Sequence, residues 1–272
     1  DHGLTPERLE LSDEAMDGLI EDYTDEAGVR RLEQQIAALC RAVAVRLARG
    51  EDIRLNATVA DVKAILGSPR GGRTRAARVP AAGHATALAY SPSGGRLLMV
   101  EATRMAGTGK LQTTGSMGDV MRESVAAALT YVRSRASTLG VPDDFLSKID
   151  VHVHLPEGAV PKEGASAGVA LYVAMATMLT RQKVRTDVGM AGEITLRGNV
   201  LRIGGVKERC LIAHREGLTR VVLPARNAPD LEEVPKDILD ALDIQLVNHV
   251  DEVLALVCEP SPVVPLEASL PA

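Results

Sequence analysis

Hydrophobic positions along the first 67 residues recur with helical spacing. Leu32, Ile36, Leu39, Val43 and Leu47 stand three or four apart and predict one long amphipathic helix that closes near Arg49-Gly50. Thr5-Pro6 and Ser12 followed by Asp13 and Glu14 read as helix starts, and Thr58 with Asp61 as a capping box ahead of Val62, Ile65 and Leu66. Residues 1–67 are therefore expected to form a small all-helical unit. The pattern lapses over residues 68–82, where prolines, Gly71-Gly72 and several arginines read as a linker.

From residue 83 the periods mix. Ala85–Tyr90 and Arg96–Ala102 read as two strands around Pro92-Ser93-Gly94-Gly95, and Val120–Ser137 as a helix. Ile149, Val151, Val153 and Leu155 alternate with Asp150, His152 and His154, which marks a half-buried strand. An apolar run from Val169 to Leu179 reads as a buried helix. Short strands are expected near 184–190, 194–196 and 200–203, a helix from about Lys207 to Gly217, and a strand at Val221–Leu223. Helices at 235–242 and 251–257 flank a strand at 244–247. The fold class is α+β, that is mixed α/β, over residues 83–258, and 259–272 read as a loose tail.

Composition narrows the function. The chain has 272 residues, 46% hydrophobic and 25% charged, with four Tyr, one Phe and no Trp, so aliphatic side chains and Met must build the core. A net charge of -5 weakens a nucleic-acid reading, whose only support is Arg41, Arg46, Arg49 and the linker arginines. Cys40, Cys210 and Cys258 show no pairing or zinc spacing, which favours a reducing compartment. No run is long enough to span a bilayer, so no membrane partner is expected. The chain opens on Asp1-His2-Gly3 with no Met, as a piece of a longer protein would.

The candidate chemistry lies in Pro161-Lys162-Glu163-Gly164-Ala165-Ser166-Ala167-Gly168. Ser166 stands at a loop-to-helix junction with little bulk around it. The unpaired N–H groups and positive dipole end of the next helix suit an oxyanion. A serine nucleophile needs a base, and Lys207 in Gly204-Gly205-Val206-Lys207-Glu208-Arg209 has apolar flanks that could keep it neutral. From the residues alone a second reading stands beside it: a surface lysine at a helix start and a serine N-cap. His152 and His154 lack a third ligand, so no metal site is expected. Gly107-Thr108-Gly109-Lys110-Leu111 imitates a phosphate loop, but Arg104 and Leu111 stand where Gly and Ser/Thr are required. It reads as a loop near the substrate groove.

Several long segments in order resemble the ATP-dependent Lon protease family. They are Gly115–Ser124, Val153–Gly168, Gly192–Gly198 and Ile203–Glu208. The resemblance implies a Lon-type proteolytic domain at 83–258 behind a small helical AAA+ subdomain at 1–67. It also implies a serine endopeptidase acting on unfolded polypeptide through a Ser166–Lys207 dyad. Arg30, in Tyr23–Glu33, matches the family's sensor arginine, which reaches toward ATP in the complete protein. The resemblance further implies ATP and Mg²⁺ as cofactors of the full-length protein only, a homohexameric ring and a cytoplasmic location. Of three departures, those at Ala191 and Ala165 motivate the alternative of a proteolytically weak or inactive assembly module, and Tyr90 is conservative in bulk. Ala191 replaces a Thr whose hydroxyl serves the lysine, Glu163-Gly164-Ala165 replaces Asp-Gly-Pro, and Tyr90 replaces Trp.

Overall fold

A computed structural model describes residues 3–24, 26, 28–69, 79–91 and 94–260. Most of the expected linker and tail lies outside the described residues. The chain divides into two compact units, 1–77 and 78–272.

In the first unit, α1 (Asp13–Tyr23), α2 (Arg30–Ala48) and α3 (Val59–Leu66) enclose a small core of Ala15, Leu19, Leu39 and Val62. The caps read from sequence form. Ser12 accepts from the Ala15 N–H at 3.1 Å, and Thr58 and Asp61 make a reciprocal capping box. The unit is not all helical. β1 (Leu9–Leu11) pairs in parallel with β2 (Leu55–Ala57), where helix starts alone were expected around Thr5-Pro6. Three-residue strands are too short to carry a periodic signal, and only the fold brings residues 46 positions apart into register.

The second unit is a mixed seven-stranded sheet with helices on both faces. Its strands are β3 (His84–Ser91), β4 (Gly94–Ala106), β5 (Leu111–Thr114), β6 (Ile149–His154), β7 (Val188–Met190), β10 (Arg220–Pro224) and β11 (Asp243–Val247). The order is β11-β10-β7-β3-β4-β6-β5. The left part, β11 to β3, is parallel, and β4 is antiparallel to both of its neighbours. A separate hairpin joins β8 (Glu193–Ile194) to β9 (Val200–Leu201).

On one face lie α4 (Asp119–Ser134) and α5 (Gly168–Thr180). Every residue of α5 is buried, which is why its sequence is apolar all round instead of striped. On the other face α6 (Val206–Arg215) and α7 (Lys236–Ala241) pack with Leu88, Val221 and Leu223 in a second cluster. The chain closes with α8 (Val253–Val257).

The false phosphate loop has a structural answer. The N–H groups of Thr108, Gly109 and Lys110 all donate to Asp150 Oδ1, at 2.8, 3.1 and 2.8 Å. The loop is a nest for the protein's own carboxylate, and those main-chain bonds hold Asp150 below the usual carboxylate range. Beyond it, β5 forms a sheet edge that no hydrophobic alternation predicts.

Asp187 ties β7 to β10. It accepts from Arg185 Nε at 3.0 Å and Nη2 at 2.6 Å and from the Thr219 hydroxyl, while its carbonyl accepts from Thr219 and Arg220 N–H groups. The Arg185 bond first, then Thr219, lowers its pKa from 3.8 to about 2. A lowered folded-state pKa gives stability that is complete above 3.8 and lost as pH falls toward 2. With the pair a third exposed, solvent screening leaves about 1–2 kcal/mol. Asp187→Asn is therefore expected to flatten the loss of stability between pH 4 and 2. Urea midpoints across that range check it, and parallel pH profiles for the two proteins would remove this role from Asp187.

Candidate active site

The start of α5 is stitched to the chain just beyond β7. The Gly192 N–H donates to the Ser166 carbonyl at 2.8 Å, and the Val169 N–H donates to the Gly192 carbonyl at 3.0 Å. Gly192 is required there: a Cβ would sit 2.7 Å from Val200 and 2.8 Å from Val169 side-chain carbons. The stitch sets Ser166 beside the carboxyl end of a parallel strand, where open α/β sheets place their ligands. Ala167, not Ser166, is the N-cap of α5, and no side chain caps that helix. The Ser166 hydroxyl is thereby left for other work. Among the described residues, the main-chain N–H groups of Ser166 and Ala167 meet no acceptor.

The loop ahead of Ser166 is held by Lys162, which is 5% exposed. Its ammonium donates to the carbonyls of Gly115 (3.1 Å), Glu157 (2.7 Å) and Val160 (3.0 Å). Burial lowers its pKa, with Glu157 opposing. Main-chain bonds Lys162 N–H to Ser116 and Gly118 N–H to Lys162 fix the loop against the approach to α4. Glu163 then caps α4 from outside, accepting from the Met121 N–H at 3.3 Å. Glu193 lies on β8 next to the stitch, half-buried.

The expected partner of Ser166 does not arrive. Lys207 is exposed on α6, beside Tyr90, Asp230 and Glu233 in an open pocket of about 550 Å³. Arg209 takes its place, donating from Nη2 to Ser166 Oγ at 3.1 Å and from Nε to the Gly204 carbonyl at 3.0 Å. The reason is helical geometry. Residues 207 and 209 are about 200° apart around the axis, so only one can face inward. Val206, Arg209, Cys210 and Ala213 are the buried stripe of α6, while Lys207 and Leu211 are exposed. That i, i+3, i+4, i+7 spacing was in the sequence and could have pointed to Arg209.

Gly205 fixes the start of α6. It is left-handed, φ 67°, and a Cβ would fall 2.5 Å from the Tyr90 ring. Asn227, fully buried, accepts from the Ile203 N–H at 3.0 Å and donates to the Ile203 carbonyl at 2.7 Å, which pins the approach. Arg209 itself is 4% exposed. Burial lowers its pKa to about 10, opposed only by Glu208. Among the described residues no carboxylate is paired with it, and its Nη1 is buried without a hydrogen-bond partner.

Two family models cover the chain. Residues 56–259 match the Lon protease (S16) C-terminal proteolytic domain, and residues 1–55 match the Lon protease AAA+ ATPase lid domain. The chain belongs to the Lon protease family. Similar proteins include Lon protease 2 of Sorangium cellulosum, 46% identical over 99% of this chain and 34% of that protein. Lon protease of Anaeromyxobacter dehalogenans and Lon protease 2 of Myxococcus xanthus are each 47% identical over 97% of this chain and 32% of theirs. The chain thus spans about a third of the length of these Lon proteases. Its lid unit carries Arg30 exposed at the first turn of α2. Among the described residues no helix is long and apolar enough to cross a membrane.

Lys162→Met is expected to leave three carbonyls without a donor and to cost about 2 kcal/mol or more. Proteolytic nicking between 157 and 165 should rise in parallel. An unchanged urea midpoint with unchanged nicking would show that the loop is held by its main-chain bonds alone.

Proposed function

We propose that this chain is the lid and proteolytic part of a Lon-type machine that receives unfolded polypeptide at Ser166 and is deficient in the hydrolytic step. The observation that carries the reading is the Arg209 Nη2 to Ser166 Oγ contact. Peptide cleavage requires a group that takes the serine proton. Burial lowers the guanidinium's pKa to about 10, and it still stays protonated at pH 7. It donates to the hydroxyl and cannot accept from it. Ser166, the unpaired N–H groups beside it and the anchored loop are retained, so the site keeps the parts that receive a carbonyl and lacks the base.

The family supplies the wider setting. In the complete protein, a homohexameric ring driven by ATP and Mg²⁺ would deliver chains to this site in the cytoplasm. Arg30 would face the nucleotide held by the large ATPase subdomain. A fully active serine endopeptidase with a Ser166–Lys207 dyad is the second reading, carried by the motif alone. It requires α6 to turn by about 200°, which would expose Cys210 and Val206 and break both Arg209 bonds.

A gain-of-function substitution separates the two. Arg209→Lys, alone or with Ala191→Thr to offer the ammonium an acceptor, should raise Ser166-dependent cleavage of a flexible fluorogenic peptide by about 10²-fold or more. Lys207→Ala should leave that rate unchanged. Wild-type cleavage as fast as Arg209→Lys, abolished by Ser166→Ala, would overturn the proposal. Loss of that cleavage in Lys207→Ala would establish the dyad instead.

A further inference from the structure

A buried cation is normally paired with a carboxylate or fully hydrogen-bonded, because removal from water is costly. Arg209 is neither. It is 4% exposed, its two acceptors are neutral oxygens, and Nη1 has no partner. Glu163 is the acidic side chain nearest in sequence to Ser166, and it is spent on the N-terminus of α4. On the same spot converge the start of α5, a helix of 13 residues, and the unaccepted N–H groups of Ser166 and Ala167. Ser166 is half-buried and is the most exposed member of this cluster.

We propose that Ser166 and Arg209 form a carboxylate-binding site that takes the C-terminal carboxylate of a polypeptide. The guanidinium fork presents Nη1 and Nη2 side by side and matches a carboxylate in two parallel bonds. The Ser166 hydroxyl stands where one carboxylate oxygen would meet Nη2, and Nη1 has no hydrogen-bond partner in the protein. Rotation of the serine side chain exchanges that neutral acceptor for an anionic one. The charge of Arg209 is then compensated, and the second oxygen reaches the N–H groups at the start of α5. The source of the carboxylate follows from the proteolytic-domain fold. A chain laid across Ser166 presents a carboxylate there when its last residue arrives. The inference rests on the reading of Ser166 as deficient in hydrolysis, since a turned-over peptide would not remain bound.

The test is calorimetric titration of the whole chain with one short flexible peptide in two forms, free acid and C-terminal amide. Mass spectrometry of the recovered peptide reads hydrolysis separately. The acid form is expected to bind at least tenfold more tightly than the amide, and Arg209→Gln to erase that difference. Acetate should compete with the acid peptide at millimolar concentrations and inorganic phosphate less well. Equal binding of acid and amide by wild type, or an acid preference that survives Arg209→Gln, would overturn the proposal. Stronger competition by phosphate than by acetate would overturn the assignment to carboxylates. The acid–amide comparison on wild type stands even where a variant unfolds. Cleaved peptide would sink the hydrolysis-deficient reading; intact peptide without acid preference would sink only this one.

Discussion

Two main-chain hydrogen bonds through Gly192 hold this site together. One reaches the Ser166 carbonyl and the other comes from the Val169 N–H, so the first turn of α5 is sewn to the end of β7. Everything else is arranged around that seam. α5 can be apolar on every face because the sheet and α4 cover it, and its first turn is the part sewn to the strand. The loop before Ser166 needs its own fastening, and Lys162 supplies it by spending a buried ammonium on three carbonyls. This lysine is a clamp on backbone and not a chemical group. Its removal from solvent is offset by bonds that no neutral side chain of that length could make.

The sheet divides the labour of the two site residues. Ser166 comes from the face covered by α4 and α5, and Arg209 from the face covered by α6 and α7. They meet past the strand ends, where neither core is continuous. Such a meeting place must be held from both sides. Gly192 does so on one side, and Asn227 with Gly205 on the other. The precision of a single 3.1 Å contact thus depends on a glycine, a buried amide and a left-handed turn, none of which touches it.

Much of this was legible in the chain before any coordinates. The alternation Ile149–Leu155, the caps at Ser12 and Thr58 and the apolar run after Ser166 each state their own environment, because burial on one face or on all faces leaves a period. Parallel pairing of Leu9–Leu11 with Leu55–Ala57 leaves none, since three residues cannot show alternation and the partner is distant. β5 was missed for a related reason: Leu111-Gln112-Thr113-Thr114 is a polar edge strand whose register comes from β6. The serine was legible and its partner was misread. The motif predicts the lysine, while the inward face of α6 is written in the positions of Val206, Cys210 and Ala213.

The departure at Ala191 and the Arg209 contact then belong together. Ala191, fully buried, belongs to the cluster that includes Val206 and Cys210, on the inward face of α6. A threonine hydroxyl at that position has a purpose only if an ammonium faces it from that side of the helix. Lys207 points away to solvent, and Arg209 is the side chain that faces in. A guanidinium already holds the Gly204 carbonyl and Ser166 Oγ from that side. A lysine-based site gives up its hydroxyl at a cost, because the neutral amine loses the group that orients it. An arginine-based site has no neutral amine to orient, because the guanidinium stays charged. Loss of the hydroxyl and gain of the guanidinium are therefore consistent with a site whose work is to hold a chain, in which a proton need never be moved.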